Sequence, residues 1–105
     1  MPFGICDLHF NQLISILDQN LNVMNAILFG SRAKGNFKPG SDIDIALIGA
    51  ELTLKNVFSI QNQLDDYDQP YIFDLILYNS ITEPALISHI HRVGIEVYHR
   101  TSDNN

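Results

Sequence analysis

Apolar residues in the first fifth of the chain recur at the spacing of an α-helix. Asp7 precedes them and is a candidate N-terminal cap. The apolar positions on the inner face of this helix are Phe10, Leu13, Ile14, Leu17 and Leu21. An apolar run at residues 23–29 (VMNAILF) follows and ends at Gly30. The pattern therefore predicts a helix followed by a strand.

Three more apolar runs predict strands. Residues 43–49 are rich in Ile, Leu and Ala, residues 71–78 are rich in Ile, Leu and aromatic residues, and the run at residues 95–98 (IEVY) is shorter. The first two runs are continuous, as expected for strands buried on both faces. Asp74 is the one charged residue inside the run at 71–78.

Two further helices are predicted between these strands. One is expected from a cap at Thr53 to about Tyr67, and the other from a cap at Thr82, with Pro84 in its first turn, to Gly94. The inward positions predicted for the first of them are Leu54, Val57, Phe58 and Leu64. Strands separated by helices predict an α/β fold, with helices packed on a sheet.

Length and composition limit the architecture. The 105 residues, of which 46% are hydrophobic, suit a single domain over residues 1–105, with its core at 8–99 and a frayed tail at 101–105. No apolar run approaches the roughly 20 residues of a membrane helix, so no membrane contact is expected. Cys6 is the only cysteine, which precludes an internal disulfide and favours a cytoplasmic protein.

The charge distribution restricts the class of partner. The formal net charge is −6, whereas proteins that bind nucleic acid through its backbone usually present a basic face, so direct nucleic-acid binding is not expected. Three of the six basic residues, Arg32, Lys34 and Lys38, lie close together in the sequence. This distribution fits a small polyanion bound at one place, or a basic partner protein.

Acidic residues stand in two strands where apolar ones would pack better. Asp42 and Asp44 are two residues apart and therefore share a face of their strand, where their charges repel. If the strand that contains Asp74 is a neighbour, the three carboxylates converge. Asp42 or Asp74 alone could be an exposed or turn-forming aspartate, whereas Asp44 lies deeper in its strand. Together they predict a Mg²⁺ site of the kind that supports phosphoryl or nucleotidyl transfer with two ions.

Gly30 and Ser31 follow the first strand and are candidates for phosphate binding. Gly30 lets the backbone approach a ligand closely, and Ser31 can begin a short helix over SRAK (31–34) whose free N–H groups and hydroxyl would bind phosphate. The alternative for Ser31 is an ordinary helix cap. Arg32 is predicted either to neutralise phosphate charge or to be solvated.

The combined motif FGSRAKG…SDIDIAL, with Asp74 in a later strand, resembles the DNA polymerase β-like nucleotidyltransferase superfamily. The short chain, the GSRAKG form and the closing ISHIHRVGIEVYHR resemble its MNT (minimal nucleotidyltransferase) group, over roughly residues 8–99. The resemblance implies the polymerase β-like nucleotidyltransferase fold, an α/β (α+β) fold with a small mixed sheet.

The resemblance also implies a reaction. Asp42 and Asp44 would be metal ligands, Asp74 would help bind the catalytic metal and assist deprotonation of the acceptor, and Gly30 and Ser31 would hold the β- and γ-phosphates. The expected chemistry is transfer of AMP from ATP, with a pair of Mg²⁺ ions, to a tyrosine of a helical HEPN-type partner, as in toxin–antitoxin pairs. The alternatives are transfer to a small molecule and an antitoxin that acts by binding alone.

Overall fold

Helices and strands alternate along the chain in the predicted order. A computed structural model describes residues 2–101, and residues 102–105 of the predicted frayed tail lie outside the described residues. The helices are α1 (Asp7–Gln19), α2 (Ser31–Lys34), α3 (Leu54–Asp65) and α4 (Pro84–Val93). The strands are β1 (Asn25–Phe29), β2 (Ile43–Ile48), β3 (Phe73–Leu77) and β4 (Ile95–His99). Short 3₁₀ turns occupy Pro2–Gly4 and Tyr78–Ser80.

The four strands form one mixed sheet in the order β3-β2-β1-β4. Strand β1 runs antiparallel to both β2 and β4, whereas β2 and β3 run parallel. The N-terminal ends of β2 and β3 therefore lie beside the C-terminal end of β1. We call this the active end of the sheet, and the opposite end the distal end.

The two faces of the sheet are packed differently. Strand β2 buries Ile43, Ile45 and Leu47 completely in the larger apolar cluster, which α1 and α3 cover. On the other face, Ala46 packs with Phe29 and with residues of α4 in a smaller cluster. Because successive side chains of a strand alternate between faces, Asp44 projects from the face that α4 covers only in part. The α/β (α+β) prediction with a small mixed sheet is confirmed.

Helix α3 differs from its predicted orientation. Thr53 caps it as expected, in a capping box with Asn56. Val57 and Leu64 are buried as predicted, but Leu54 is 51% and Phe58 64% exposed. The prediction for this pair was wrong because the two residues, four apart, share a flank of the helix that turns away from the sheet.

Two other helix starts are shifted by one residue. The N-cap of α1 is Cys6 and not Asp7, and the N-cap of α4 is Glu83 and not Thr82; neither N-cap side chain makes a capping hydrogen bond. Asp7 instead lies in the first turn, where its charge complements the helix dipole. None of the helices within residues 2–101 is long and apolar enough to cross a bilayer.

Candidate active site

The carboxylates of neighbouring strands meet at the active end of the sheet. In the parallel pairing of β2 and β3, Asp44 lies directly opposite Asp74. In the antiparallel pairing on the other side of β2, Asp44 lies opposite Phe29, the last residue of β1. The sequence predicted that the carboxylates meet if the strand of Asp74 is a neighbour of the strand of Asp44. Because β2 and β3 are paired, Asp44 and Asp74 do lie next to each other.

Asp44 is the most buried acid of the site. It is half-buried, whereas Asp42 and Asp74 are exposed. Burial, followed by the charges of Asp74 and Asp42, raises the pKa of Asp44 from 3.8 to about 6. Side-chain hydrogen bonding with Asp74 raises the pKa of Asp44 further. Ionisation of Asp44 is therefore unfavourable in the folded protein, and a bound cation would offset this free-energy cost.

Gly30 brings the backbone against Asp44. Its φ is +76°, a region that L side chains rarely adopt, and a Cβ at this position would collide with Oδ2 of Asp44. A side chain here would therefore displace the carboxylate. The turn that follows β1 consequently lies directly beside the most buried acid of the site.

Ser31 begins α2 but does not cap it. Gly30 is the N-cap, and Ser31 is the first residue of the helix, which ends at Lys34 with Gly35 in the left-handed conformation. The alternative that Ser31 is an ordinary cap is thus wrong. The short helix over SRAK is confirmed, and the phosphate role of Gly30 and Ser31 stays a prediction.

Arg32 is neither solvated nor directed at open solvent. Its side chain is 4% exposed, so the predicted solvated state is wrong. The guanidinium donates to the carbonyl oxygens of Ser41 and Phe3. Its predicted contact with phosphate stays a prediction. No local sequence pattern predicts the contact with Phe3, since this residue lies 29 positions away along the chain.

The donor set suits a cation completed by substrate. Within residues 2–101, no three acidic, histidine or cysteine side chains are arranged as a preformed metal site. Mg²⁺ is commonly bound through one or two carboxylates together with substrate phosphates and waters. Asp44 and Asp74, with Asp42 near enough for its charge to act on Asp44, fit that mode better than a closed protein cage.

Comparison with known proteins agrees with this geometry. A sequence profile of the family described as Polymerase beta, Nucleotidyltransferase matches residues 11–103. The chain belongs to the polymerase β nucleotidyltransferase family. The predicted superfamily and fold are therefore confirmed, and the chain is a nucleotidyltransferase by family. No curated protein sequence matches it closely enough to add to this assignment.

Three solved structures with the same fold are toxin–antitoxin complexes. A chain of one, crystallised with AMP-PNP, is 26% identical, with a TM-score of 0.68 and coverage of 87% of this chain and 73% of that one. A variant MntA–HepT complex gives 25% identity, a TM-score of 0.68, and coverage of 86% and 72%. A third structure is that of a tri-AMPylated HEPN toxin of Shewanella oneidensis in complex with the MNT antitoxin. The matched chain is 24% identical, with a TM-score of 0.63 and coverage of 89% of this chain and 71% of that one. The structural neighbours are thus MNT antitoxins in complex with HEPN toxins.

Proposed function

We propose that this nucleotidyltransferase moves AMP from ATP to a hydroxyl of a HEPN-type helical protein and acts as the antitoxin of a toxin–antitoxin pair. The observation that carries the proposal is the in-register pair Asp44 and Asp74 beside the close approach of Gly30. The similarity to a toxin–antitoxin complex that holds AMP-PNP supports the nucleotide and the class of partner. The family resemblance suggests a tyrosine as the acceptor.

Asp42, Asp44 and Asp74 are the residues that would hold Mg²⁺. When bound, a pair of these ions activates the attacking oxygen and stabilises the leaving one. Gly30 and Ser31 would bind the β- and γ-phosphates, for which a tight turn followed by free helix N–H groups is suited. The proximity of Gly30 to Asp44 would then keep phosphate and carboxylates within one small volume.

Asp74 is the acid best placed to meet the acceptor. It is exposed on β3, the edge strand, whereas Asp44 is half-buried on the inner strand β2. The acceptor oxygen would attack the α-phosphorus, and its proton would pass to the Asp74 carboxylate. The bond from the α-phosphorus to the bridging oxygen would break, and pyrophosphate would leave with that electron pair.

The charge of the chain favours a basic partner surface. With a formal net charge of −6, the protein would attract a positively charged protein and accelerate its encounter with the site. Such an attraction depends on ionic strength, so complex formation should slow as salt is added.

The test is incubation with the cognate partner, labelled ATP and Mg²⁺, followed by intact-mass measurement of both proteins. The proposal expects the partner to gain whole adenylate units with release of pyrophosphate. Asp44→Asn and Asp74→Asn should abolish this gain, while Asp18→Asn, an exposed acid at the distal end, should preserve it. Label found on a small molecule, or neutralisation of the partner by the Asp44→Asn protein, would instead support one of the two alternatives.

A further inference from the structure

A buried arginine lies immediately behind the loop that leads to the carboxylates. Among residues 2–101, Arg32 is the only polar or charged side chain that is buried. Within the same residues, it forms no ion pair with a carboxylate. A buried charge is costly unless other groups compensate it. The groups that contact the Arg32 guanidinium therefore indicate the role of this residue.

Carbonyl groups provide most of this compensation. Nε and Nη2 of Arg32 both donate to the carbonyl oxygen of Ser41, at 3.1 and 2.8 Å. Nη1 donates to the carbonyl oxygen of Phe3, at 2.7 Å. Ser41 directly precedes Asp42, so the planar guanidinium holds the peptide group that leads into the first carboxylate of the site.

Aromatic rings enclose the same guanidinium. Its carbon lies 4.9 Å from the ring centre of Phe37 and 5.7 Å from that of Tyr71. The Tyr71 hydroxyl accepts a hydrogen bond from the backbone N–H of Cys6, at 2.9 Å. Gly4 passes so close that an added Cβ would lie 2.9 Å from Nη1 of Arg32. The side chain is thus held on several sides and has little freedom to swing toward a ligand.

The loop held by Arg32 has few other restraints. A turn is formed by the Lys38 N–H with Ser41 Oγ, at 2.9 Å, and by the Ser41 N–H with the Lys38 carbonyl, at 3.0 Å. The next restraint is the bond from the Ile43 N–H to the Ile72 carbonyl, at 2.8 Å, where β2 begins beside β3. Asp42 lies between these two restraints and is itself exposed.

We infer that Arg32 is a positioning residue, whose paired bonds to the Ser41 carbonyl fix the backbone from which Asp42 projects. This role differs from the phosphate contact predicted for Arg32. Its catalytic consequence rests on the proposed function, whereas the restraint of residues 38–43 is a property of the fold and is measured independently.

The first test is Arg32→Lys, which retains the positive charge but replaces a planar fork with a single ammonium group. That group cannot reproduce the two bonds to Ser41 and the bond to Phe3 together. Loss of about one hydrogen bond should accelerate amide hydrogen exchange at residues 38–43 by roughly tenfold. Titration with Mn²⁺ in the presence of ATP should show metal binding weakened several-fold. Affinity for ATP without divalent metal should remain unchanged, because the charge remains.

The matched control is Arg100→Lys. Arg100 also donates to backbone carbonyls, but those of Leu17, Asp18, Asn20 and Val23 at the distal end. The same chemical change there should lower the melting temperature without accelerating exchange at residues 38–43 or altering Mn²⁺ binding. If Arg32→Lys does not fold, Gly4→Ala provides a second variant, since its Cβ would collide with the Phe37 ring that packs on the guanidinium and with Nη1 of Arg32, without removing the arginine. Because φ of Gly4 is +74°, the backbone of this variant is also strained, and its melting temperature is measured alongside.

The outcomes separate the two roles of Arg32. Unchanged exchange at residues 38–43 in both Arg32→Lys and Gly4→Ala, with weaker metal-free ATP binding in Arg32→Lys, would overturn the inference in favour of the phosphate contact. Faster exchange and weaker Mn²⁺ binding would support it. If that pattern is found but the wild-type protein transfers no AMP to its partner, the proposed function fails while the positioning role of Arg32 stands.

Discussion

The two ends of the sheet are each held by an arginine, but the two arginines have different partners. Arg100 donates to carbonyls at and beyond the C-terminal end of α1, stacks over Tyr98, and lies 3.8 Å from the carboxylate of Asp18. Every α-helix leaves the carbonyl groups of its last turn without hydrogen-bond donors within the helix, and Arg100 donates to such groups at the end of α1. Arg32 instead binds one carbonyl of the N-terminal 3₁₀ turn and one of the loop before β2, and it is buried without a carboxylate partner among residues 2–101.

The difference indicates how a site can combine rigidity with free carboxylates. An arginine that paired with Asp42 or Asp44 would neutralise an acid that is proposed to bind metal. By binding the carbonyl of Ser41, Arg32 restrains the loop and leaves the carboxylates available. At the distal end no such conflict exists, and Arg100 pairs with Asp18. The active end should therefore respond to mutation mainly in activity, and the distal end mainly in stability.

The largest effect is expected when an acid is removed from the active end. Asp44→Ala or Asp74→Ala should reduce AMP transfer by roughly 10³-fold or more, since the residues act as a unit in binding the ions. For the same reason, the double variant should lose little more than either single one. Rates from intact-mass time courses measure this. Asp18→Ala at the distal end is the control, and a comparable loss of rate there would refute the division between the two ends.

At the distal end a smaller effect is expected, on stability and not on activity. Arg100→Ala removes hydrogen bonds to four backbone carbonyls, some of which water will replace. The free energy of unfolding should fall by about 2 kcal/mol, as for the loss of several partly exposed hydrogen bonds. Chemical denaturation measures the loss, and transfer rates should be unchanged well below the melting temperature. A variant of normal stability would show that Arg100 is dispensable for the fold.

Ser31 should show an effect on ligand binding of intermediate size. Because Gly30 and not Ser31 is the N-cap of α2, Ser31→Ala should change the free energy of unfolding by less than about 0.5 kcal/mol. Its affinity for ATP should fall by roughly tenfold, as expected for one lost hydrogen bond to a charged group. Calorimetric titration tests the affinity and denaturation tests the stability. A stability loss with normal affinity would mean that the Ser31 hydroxyl supports the fold and does not bind phosphate.

The sequence predicted the meeting of Asp44 and Asp74 better than it predicted the contacts that support the loop before Asp42. The shared face predicted for Asp42 and Asp44 rests on the alternation of side chains along a strand, which is a local property. Strand β2 begins at Ile43, so only Asp44 lies within it, and the shared face of the two acids stays a prediction. The pairing of Asp44 with Asp74 required only that two predicted strands be parallel neighbours. The burial of Arg32 could not be predicted in this way, because it depends on Phe3 and Tyr71, which are distant in sequence. No local pattern encodes contacts of that kind.

The same limit applies to helix orientation. The helical period placed Val57 and Leu64 correctly but did not determine which flank of α3 turns outward, so Leu54 and Phe58 were predicted on the wrong side. That choice depends on how α3 lies against the sheet. Local patterns thus predicted the elements and the acids, whereas the long-range packing decided which side chains they bury.

The smallest expected effect is a dependence of stability on pH that originates at Asp44. Burial and the charges of Asp74 and Asp42 raise the pKa of Asp44 to about 6 in the folded protein, whereas the unfolded chain restores the ordinary value of 3.8. Between these values the folded state binds more protons, so the contribution of Asp44 to stability falls as the pH rises through this window. The free-energy cost of ionising Asp44 in the folded protein applies in full above about pH 6 and is absent below about pH 3.8.

Asp44→Asn isolates this contribution, because the other acids and the histidines are present in both proteins. With divalent metal removed by chelation, the variant should gain stability relative to the wild type as the pH rises from 4 to 7. Since Asp44 is only half-buried and partly screened by water, the gain should be about 1 kcal/mol or less. Denaturation curves at several pH values measure the difference between the two proteins. A difference of the opposite sign would mean that Asp44 stabilises the fold as an ion-pair partner, which would remove the electrostatic argument for a cation at the active end.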